Sequence, residues 1–339
     1  MGDTVVALPC FHLIARTFPQ AERLLLTNFP VHTKAPASAA VLGESGLVHG
    51  YIRYAVGTRN LGELLRLAWQ IRRLRPDVLV YLMPLRPLKN VRRDSMFFRL
   101  AGVRRIVGLP GKDQLKHRFD SASGQFESEA SRLSRTLVEL GDARAGDLAN
   151  WNLGLTEQER AAAATALGTL QHGPLIACGP GTKMQAKDWG QDNWRALLTE
   201  LQAIYPNYGL VLIGAAEDAA ISDDAALNWT GPKVNLCGKL TPRETAAVLG
   251  QAQVFLGPDS GPMHLAAVAG TPCVIAFSAR GLPGIWFPAG PQHQVVYHQT
   301  SCYGCKLETC IAEARRCLTS ITIAEMVAAV VKVLGRPNG

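Results

Sequence analysis

One stretch constrains this chain more than any other: Val254-Phe255-Leu256-Gly257-Pro258-Asp259-Ser260-Gly261-Pro262-Met263-His264-Leu265-Ala266-Ala267. It reads as a short buried strand, a tight polar turn and a helix. Val254 to Leu256 are apolar and β-prone. Asp259 or Ser260 can cap the helix, and Pro262 suits its first turn because a missing N–H costs nothing there. Leu265 to Ala269 favour burial, and Gly270 is a good stop. Such a helix start aims free backbone N–H groups and the positive end of its dipole into the turn, which suits a phosphate. Strand-to-helix turns are also where open α/β sheets put ligands.

The rest of the chain repeats this alternation. Asn60 to Arg75 carries a helical apolar stripe (Leu61, Leu64, Leu65, Leu67, Ala68, Ile71), and a buried strand at Val78 to Leu82 follows it. Helices are predicted at about Leu8 to Phe18, Arg92 to Ala101 and Glu127 to Gly141, and strands at Arg23 to Thr27 and Arg105 to Gly108. Residues 28 to 60 are rich in turn formers and carry no clear pattern. Thr156-Glu157-Gln158-Glu159 is a capping box before an Ala-rich helix, and His172-Gly173-Pro174 breaks the chain before strand Leu175 to Cys178. A second α/β run follows: helix Asn193 to Ile204, strand Leu210 to Ile213, helix Glu217 to Leu227, strand Val234 to Leu236, helix Pro242 to Gly250, then the motif. Strands alternating with helices imply parallel sheets. At 339 residues the chain exceeds the size at which single cores split, so two domains are expected, with the boundary between 152 and 173.

The motif D-S-G-P-M-H-x-A-A, followed by a second apolar strand from Pro272 to Phe277, resembles the nucleotide-sugar motif of glycosyltransferase family 9, which contains the lipopolysaccharide heptosyltransferases. Gly2-Asp3-Thr4-Val5-Val6-Ala7-Leu8-Pro9 resembles the family's first strand-to-helix turn, and Thr182, Lys183 and Lys187-Asp188-Trp189 resemble its K-x-W segment. The likeness spans nearly the whole chain, strongest at 257–279 and thinnest at 28–150. It implies an α/β fold of the GT-B class: two Rossmann-like domains with parallel sheets facing a central cleft. The first is the acceptor-binding domain at 1–155, and the second the nucleotide-sugar domain at 170–318. A C-terminal helix at 319–339 returns toward the first domain. Family members carry an apolar strand before the Gly-Asp, whereas here one residue precedes it. The chain then starts late, is a piece of a longer one, or has a gap in its first sheet, which would leave backbone and apolar surface uncovered.

The resemblance also distributes roles. Asp3 becomes the general base near the acceptor hydroxyl, against the alternative of a helix N-cap. Lys187 puts a compact positive charge on the donor's diphosphate, and Lys183 and Thr182 stand beside it. Glu217, in Gly214-Ala215-Ala216-Glu217-Asp218, matches the acid that receives the ribose or base, or is an N-cap. Asp259, Ser260, Gly261, Met263 and His264 complete the donor site. Asp259 alternatively caps its helix, and His264 is alternatively a buried structural histidine. The implied reaction is an inverting transfer, without a catalytic metal, from a nucleotide-diphosphate sugar to a lipopolysaccharide core acceptor, with ADP-heptose the favoured donor. Two other readings stay open: a nucleotide-sugar epimerase of the same fold, and a donor-binding protein without turnover.

Other classes find no support. Met184 breaks a G-x-G-x-x-G reading of the 179 loop, and Lys233 breaks a P-loop reading ending at Gly238-Lys239. Cys302, Cys305, Cys310 and Cys317 are either a structural zinc site or a packed loop, because their spacing is not that of a zinc ribbon. No secretory leader pattern opens the chain and no apolar run approaches the ~20 residues of a membrane span, so a cytoplasmic location is expected. The net charge of +8 is concentrated: Arg86 to Arg118 holds ten Lys/Arg against Asp94 and Asp113, a local +8. That segment is a solvated face or a patch for an anionic partner, either glycolipid sugar or the inner membrane surface. Nucleic acid is not expected, for want of stacking aromatics or a binding motif.

Overall fold

The computed structural model describes residues 1–29, 37–55, 57–58 and 60–336. It divides into two compact units at Trp151/Asn152. Part of the featureless stretch 28–60 lies outside the described residues.

The first unit opens with two short helices, α1 (Gly2–Val6) and α2 (Leu8–Thr17), and continues through β1 (Leu24–Asn28), α3 (Ser38–Leu42), β2 (Gly50–Tyr54), α4 (Leu61–Leu74), β3 (Leu79–Val80), α5 (Leu88–Leu100) and β4 (Ile106–Val107). A small antiparallel hairpin, β5 (Phe119–Asp120) with β6 (Gln125–Phe126), precedes α6 (Glu129–Thr136). Among the described residues the parallel strands form two separate pairs, β1–β2 and β3–β4. Both pairs pack on one apolar cluster built from Ile52, Leu67, Ile71, Ala101 and Val103, with Leu24, Leu79 and Ile106 at its edge. The cluster divides the α4 stripe predicted from sequence. Leu67 and Ile71 face the core, whereas Leu61 and Leu65 are exposed. Asn60 caps α4 through its side chain, which accepts from the Glu63 N–H. A buried Arg132–Glu129 pair, with Arg132 also donating to the Met83 and Gln114 carbonyls, ties α6 to the strand ends.

The second unit begins with α7 (Glu157–Leu167), whose Thr156/Glu159 capping box forms as the sequence predicts. There follow β7 (Leu175–Cys178), α8 (Gln191–Ile204), β8 (Gly209–Leu212), α9 (Ala219–Ala225), β9 (Lys233–Asn235), α10 (Pro242–Leu249), β10 (Val254–Pro258), α11 (Gly261–Val268), β11 (Cys273–Phe277), β12 (Gln294–Tyr297), α12 (Arg316–Thr319) and α13 (Ile323–Leu334). The six strands form one parallel sheet in the order β12-β11-β10-β7-β8-β9. Its central strands are buried at every position, as expected for a parallel sheet covered on both faces. One covering layer is α8 with α13: Trp194, Leu197, Leu198 and Leu201 meet Met326 and Val330 over Ile176, Leu256 and Val274. The last helix, α13, packs beside α8 on the second unit's sheet. Arg243 of α10 is buried and donates to the Glu159 carboxylate and to the Leu153 and Gly154 carbonyls, clamping α10 to the start of α7. No described helix is long and apolar enough to cross a membrane.

Candidate functional site

The strand order of the second unit fixes where a ligand belongs. From β7 the chain steps outward through β8 and β9, then returns to the other side of β7 and continues through β10, β11 and β12. The direction of winding therefore reverses between β7 and β10. In open α/β sheets the crevice beyond the strands' carboxyl ends at such a reversal is the binding position. Both stretches singled out from sequence emerge there, 179–189 after β7 and 257–264 after β10.

The two backbones run close at this point. A Cβ built on Gly257 would lie 3.1 Å from the Gly179 carbonyl oxygen, and one on Gly179 would lie 2.8 Å from that of Ile213. Only residues without a side chain let the three strand ends converge. Above them, Lys187 Nζ meets Asp259 Oδ2 at 2.7 Å, with both side chains largely shielded from solvent. The structure thereby joins two predicted site residues that the sequence offered separately.

The Lys187-Asp188-Trp189 triplet holds that lysine through three different partners. Trp189 is buried edge-on against Trp194, with ring centroids 4.8 Å apart, and its indole N–H donates to the Ile321 carbonyl at 3.1 Å. The Asp188 carboxylate accepts from the Gly190 N–H (2.9 Å) and from Arg315 Nη1 (2.9 Å), and Arg315 also donates to the Asp188 carbonyl. On the other side, the Ser278 hydroxyl donates to the Ala186 carbonyl at 2.7 Å, and the Ala186 N–H donates to the Glu308 carbonyl at 3.0 Å. Lys187 is therefore the residue in this turn whose side chain points to the strand ends while its neighbours are tied to the body of the unit. Arg315 and Ser278 were not identified from sequence. Nothing local marks them, because their roles exist only once the C-terminal loop has folded back.

The α11 end of the site is polar and uncapped. Ser260 occupies the N-cap position in extended geometry, makes no side-chain cap bond, and its buried Oγ has no partner among the described residues. The first-turn N–H groups of α11 are accordingly not satisfied by a side chain. Asp259 is buried but turned to Lys187, so it does not cap the helix. Gly261 opens the helix. Met263 has no exposed surface, so its side chain belongs to the core and only its backbone remains for a ligand. His264 is buried too, 6.3 Å from the Trp286 ring and edge-on to it. Burial pushes its pKa down to about 4, opposed by the Asp259 carboxylate, so the imidazole is neutral at pH 7. A neutral imidazole can offer a phosphate one hydrogen bond.

Around the rim, Thr182 Oγ1 accepts weakly from the Met184 N–H, and Lys183 is exposed. Glu217 is exposed in the turn after β8. The cap that sequence offered to Glu217 belongs to Asp218, whose Oδ2 accepts from the Ala215 N–H at 2.8 Å. Asp218 also explains Gly181: a Cβ there would come within 2.3 Å of the Asp218 carboxyl carbon. In the first unit, Asp3 is exposed in the first turn of α1, with Met1 at the N-cap position, so Asp3 is not the cap.

The cysteine-bearing loop does not gather a ligand set. Among the described residues no three His, Cys, Asp or Glu side chains are grouped to hold a metal, and all four cysteines are free. The loop instead backs the lysine turn: the Cys310 N–H donates to Gln185 Oε1 at 2.8 Å, and Cys317 lies beside the Ser278 hydroxyl.

The profile of glycosyltransferase family 9 (heptosyltransferase) matches residues 97–315, more than half of the chain. The chain is 32% identical over 107 residues to lipopolysaccharide heptosyltransferase 3 of Escherichia coli, a match that spans only 31% of each protein. Among solved structures it resembles a family 9 glycosyltransferase from Veillonella parvula, with TM-score 0.74 at 16% identity over 98% of this chain and 94% of that one. It also resembles an E. coli heptosyltransferase with ADP-2-deoxy-2-fluoro heptose, with TM-score 0.66 at 16% identity over 98% and 96%. At such low identity these likenesses speak to the fold, which is of the α/β, GT-B class read from the sequence.

Proposed function

The chain belongs to glycosyltransferase family 9, and from that membership we propose that it transfers a sugar with inversion from a nucleotide-diphosphate donor to a lipopolysaccharide core or related anionic glycan. ADP-heptose is the donor this reading favours. The observation that carries it is the pairing of Lys187 with Asp259 where the sheet reverses, beside an uncapped helix start whose buried Ser260 hydroxyl lacks a partner. A diphosphate at this point would receive the Lys187 ammonium, the first-turn amides of α11 and the Ser260 hydroxyl. Asp259 holds the lysine meanwhile and can take a sugar hydroxyl.

In the transfer, the acceptor hydroxyl oxygen attacks the anomeric carbon from the face opposite the diphosphate. The anomeric C–O bond breaks, and its electron pair leaves with the nucleoside diphosphate. Lys187 and the α11 amides stabilise the charge that develops on that leaving group. The hydroxyl proton goes to the Asp3 carboxylate, the base in this reading. Glu217 and Thr182 are assigned to the ribose and phosphate rim. A cation and a helix N-terminus already supply electrostatic stabilisation, so the proposed steps need no metal. The reading implies work in the cytoplasm, at the inner face of the membrane that holds the acceptor.

The test is turnover with ADP-heptose and delipidated core oligosaccharide, with the product's anomeric configuration read by NMR. Asp3→Asn should lose turnover by at least about 100-fold while donor affinity, measured by calorimetry, stays within a factor of two or so. Undiminished activity would remove Asp3 from the role of base. Conversion of the donor alone into another nucleotide sugar would favour the epimerase, and donor binding with neither product would favour a binding protein.

A further inference from the structure

Helix α4 carries two apolar faces, and only one of them is used by the core. Leu67 and Ile71 are buried against β2 and α5 residues in the apolar cluster of the first unit. Leu61, Leu65 and Trp69, spaced four apart and therefore aligned on one face, are 75%, 70% and 61% exposed. An aligned row of two leucines and a tryptophan in water is costly, and patches of this kind mark interaction sites. Arg66, Arg72, Arg73 and Arg75 accompany the row, all exposed, and none is in a salt bridge among the described residues. The Arg73 guanidinium lies 5.4 Å from the centre of the Trp69 ring.

Helix α5, which packs on the same cluster through Phe97 and Phe98, repeats the pattern. Met96 and Leu100 are exposed, and they line a groove of about 530 Å³ together with Leu88, Arg92 and Arg99. Two neighbouring helices thus each offer water an apolar face accompanied by arginines. The charges flanking the row are cationic, which complements an anionic surface. Helices that lie in a membrane surface combine leucine and tryptophan with flanking arginines, whose stems cover apolar area while their heads reach lipid phosphates. We propose that the outer faces of α4 and α5 form a docking surface for an anionic phospholipid bilayer. Leu61, Leu65, Trp69 and Leu100 enter the acyl boundary, and the arginines meet the headgroups. The proposal deepens, and rests on, the reading of this chain as an enzyme of a membrane-held anionic glycolipid. It also moves the contact from the basic 86–118 segment alone to a surface that includes α4.

The experiment is flotation of the full chain with vesicles of phosphatidylglycerol and phosphatidylcholine, against vesicles of phosphatidylcholine alone. Trp69→Phe serves as the fluorescence control. Binding is expected to the anionic vesicles only, to weaken as NaCl is raised, and to blue-shift a tryptophan signal that Trp69→Phe abolishes. The double variant Leu65→Ser/Trp69→Ser should lose at least tenfold in vesicle affinity while keeping its melting temperature and its turnover on delipidated acceptor. The charge variant Arg66→Gln/Arg73→Gln, which leaves the apolar row intact, should lose affinity as well. Equal binding to neutral vesicles would overturn the proposal, as would undiminished binding by the double variant. So would sedimentation showing that the row joins two copies of the chain without vesicle binding. Vesicle binding without turnover in the wild type would leave the docking surface standing and remove the transferase reading.

Discussion

Lys187 is held in a way that separates its position from its pairing. Trp189 and Asp188 fix the turn, and Asp259 holds the ammonium at 2.7 Å. Substituting Lys187 by Met should therefore leave the turn folded and remove one cation from the strand ends. It also strands the Asp259 carboxylate in a buried place, where removing one partner of an ion pair costs on the order of 3–5 kcal/mol. Loss of a preorganised group that stabilises developing charge is worth roughly 100- to 1000-fold in kcat. Lys187→Met should show a kcat loss of that size with ADP-heptose, and Lys187→Arg should recover part of it, because a guanidinium keeps the charge but spreads it. Steady-state kinetics of the pair decides this. A loss confined to KM, or equal loss in both variants, would make the lysine a structural partner of Asp259 and nothing more. Burial pushes the pKa of His264, in the same turn, down to about 4.

At the scale of elements, Trp189 joins the site to the body of the unit. Its ring fills the space between Trp194 of α8 and the loop leading to α13, and its N–H is spent on the Ile321 carbonyl. Trp189→Ala should destabilise the second unit by roughly 3–5 kcal/mol, the range for emptying a large aromatic from a core. Trp189→Phe should lose less, mainly the hydrogen bond, and keep the lysine turn. Denaturant titration of both variants checks the order, and equal midpoints would mean the turn is held by Arg315 and Ser278 instead. The same element shows what a sequence can and cannot disclose. The triplet, the capped helices α7 and α10, and the strand-turn-helix after Val254 were legible because each rests on a local pattern. The ion pair between Lys187 and Asp259 was not, because it depends on which strands become neighbours. The strand β2 was missed in a stretch rich in turn formers, and β12 because its four residues follow a long irregular loop. The α4 stripe was legible as helix but misleading as core: periodicity collected Leu61 and Leu65 with Leu64 and Leu67, and only the packed structure separates the outward pair from the inward one.

At the scale of the whole molecule, the two units have separate cores, and the candidate nucleotide residues belong to the second of them, 152–339. A ligand bound at the β7–β10 reversal should therefore stabilise that unit first. Four of the six tryptophans, Trp189, Trp194, Trp229 and Trp286, lie in it, so intrinsic fluorescence reports mainly on its unfolding. At about 100 times its Kd, a donor that binds only the folded state adds about 2.7 kcal/mol. For a unit of this size that corresponds to a rise in Tm of roughly 5–10 °C. A panel of ADP-, GDP-, UDP- and CDP-sugars followed by tryptophan fluorescence should give this rise for one nucleotide and little for the others, with ADP-heptose expected to lead. Hydrogen exchange in the presence of that ligand should protect the 179–190 and 257–264 segments, because both border the reversal and α11 presents its free amides there. A rise in Tm without protection at these two segments would mean that the nucleotide binds elsewhere on the fold. The absence of any rise across the panel would remove the donor from the β7–β10 reversal, and with it the role given to Lys187.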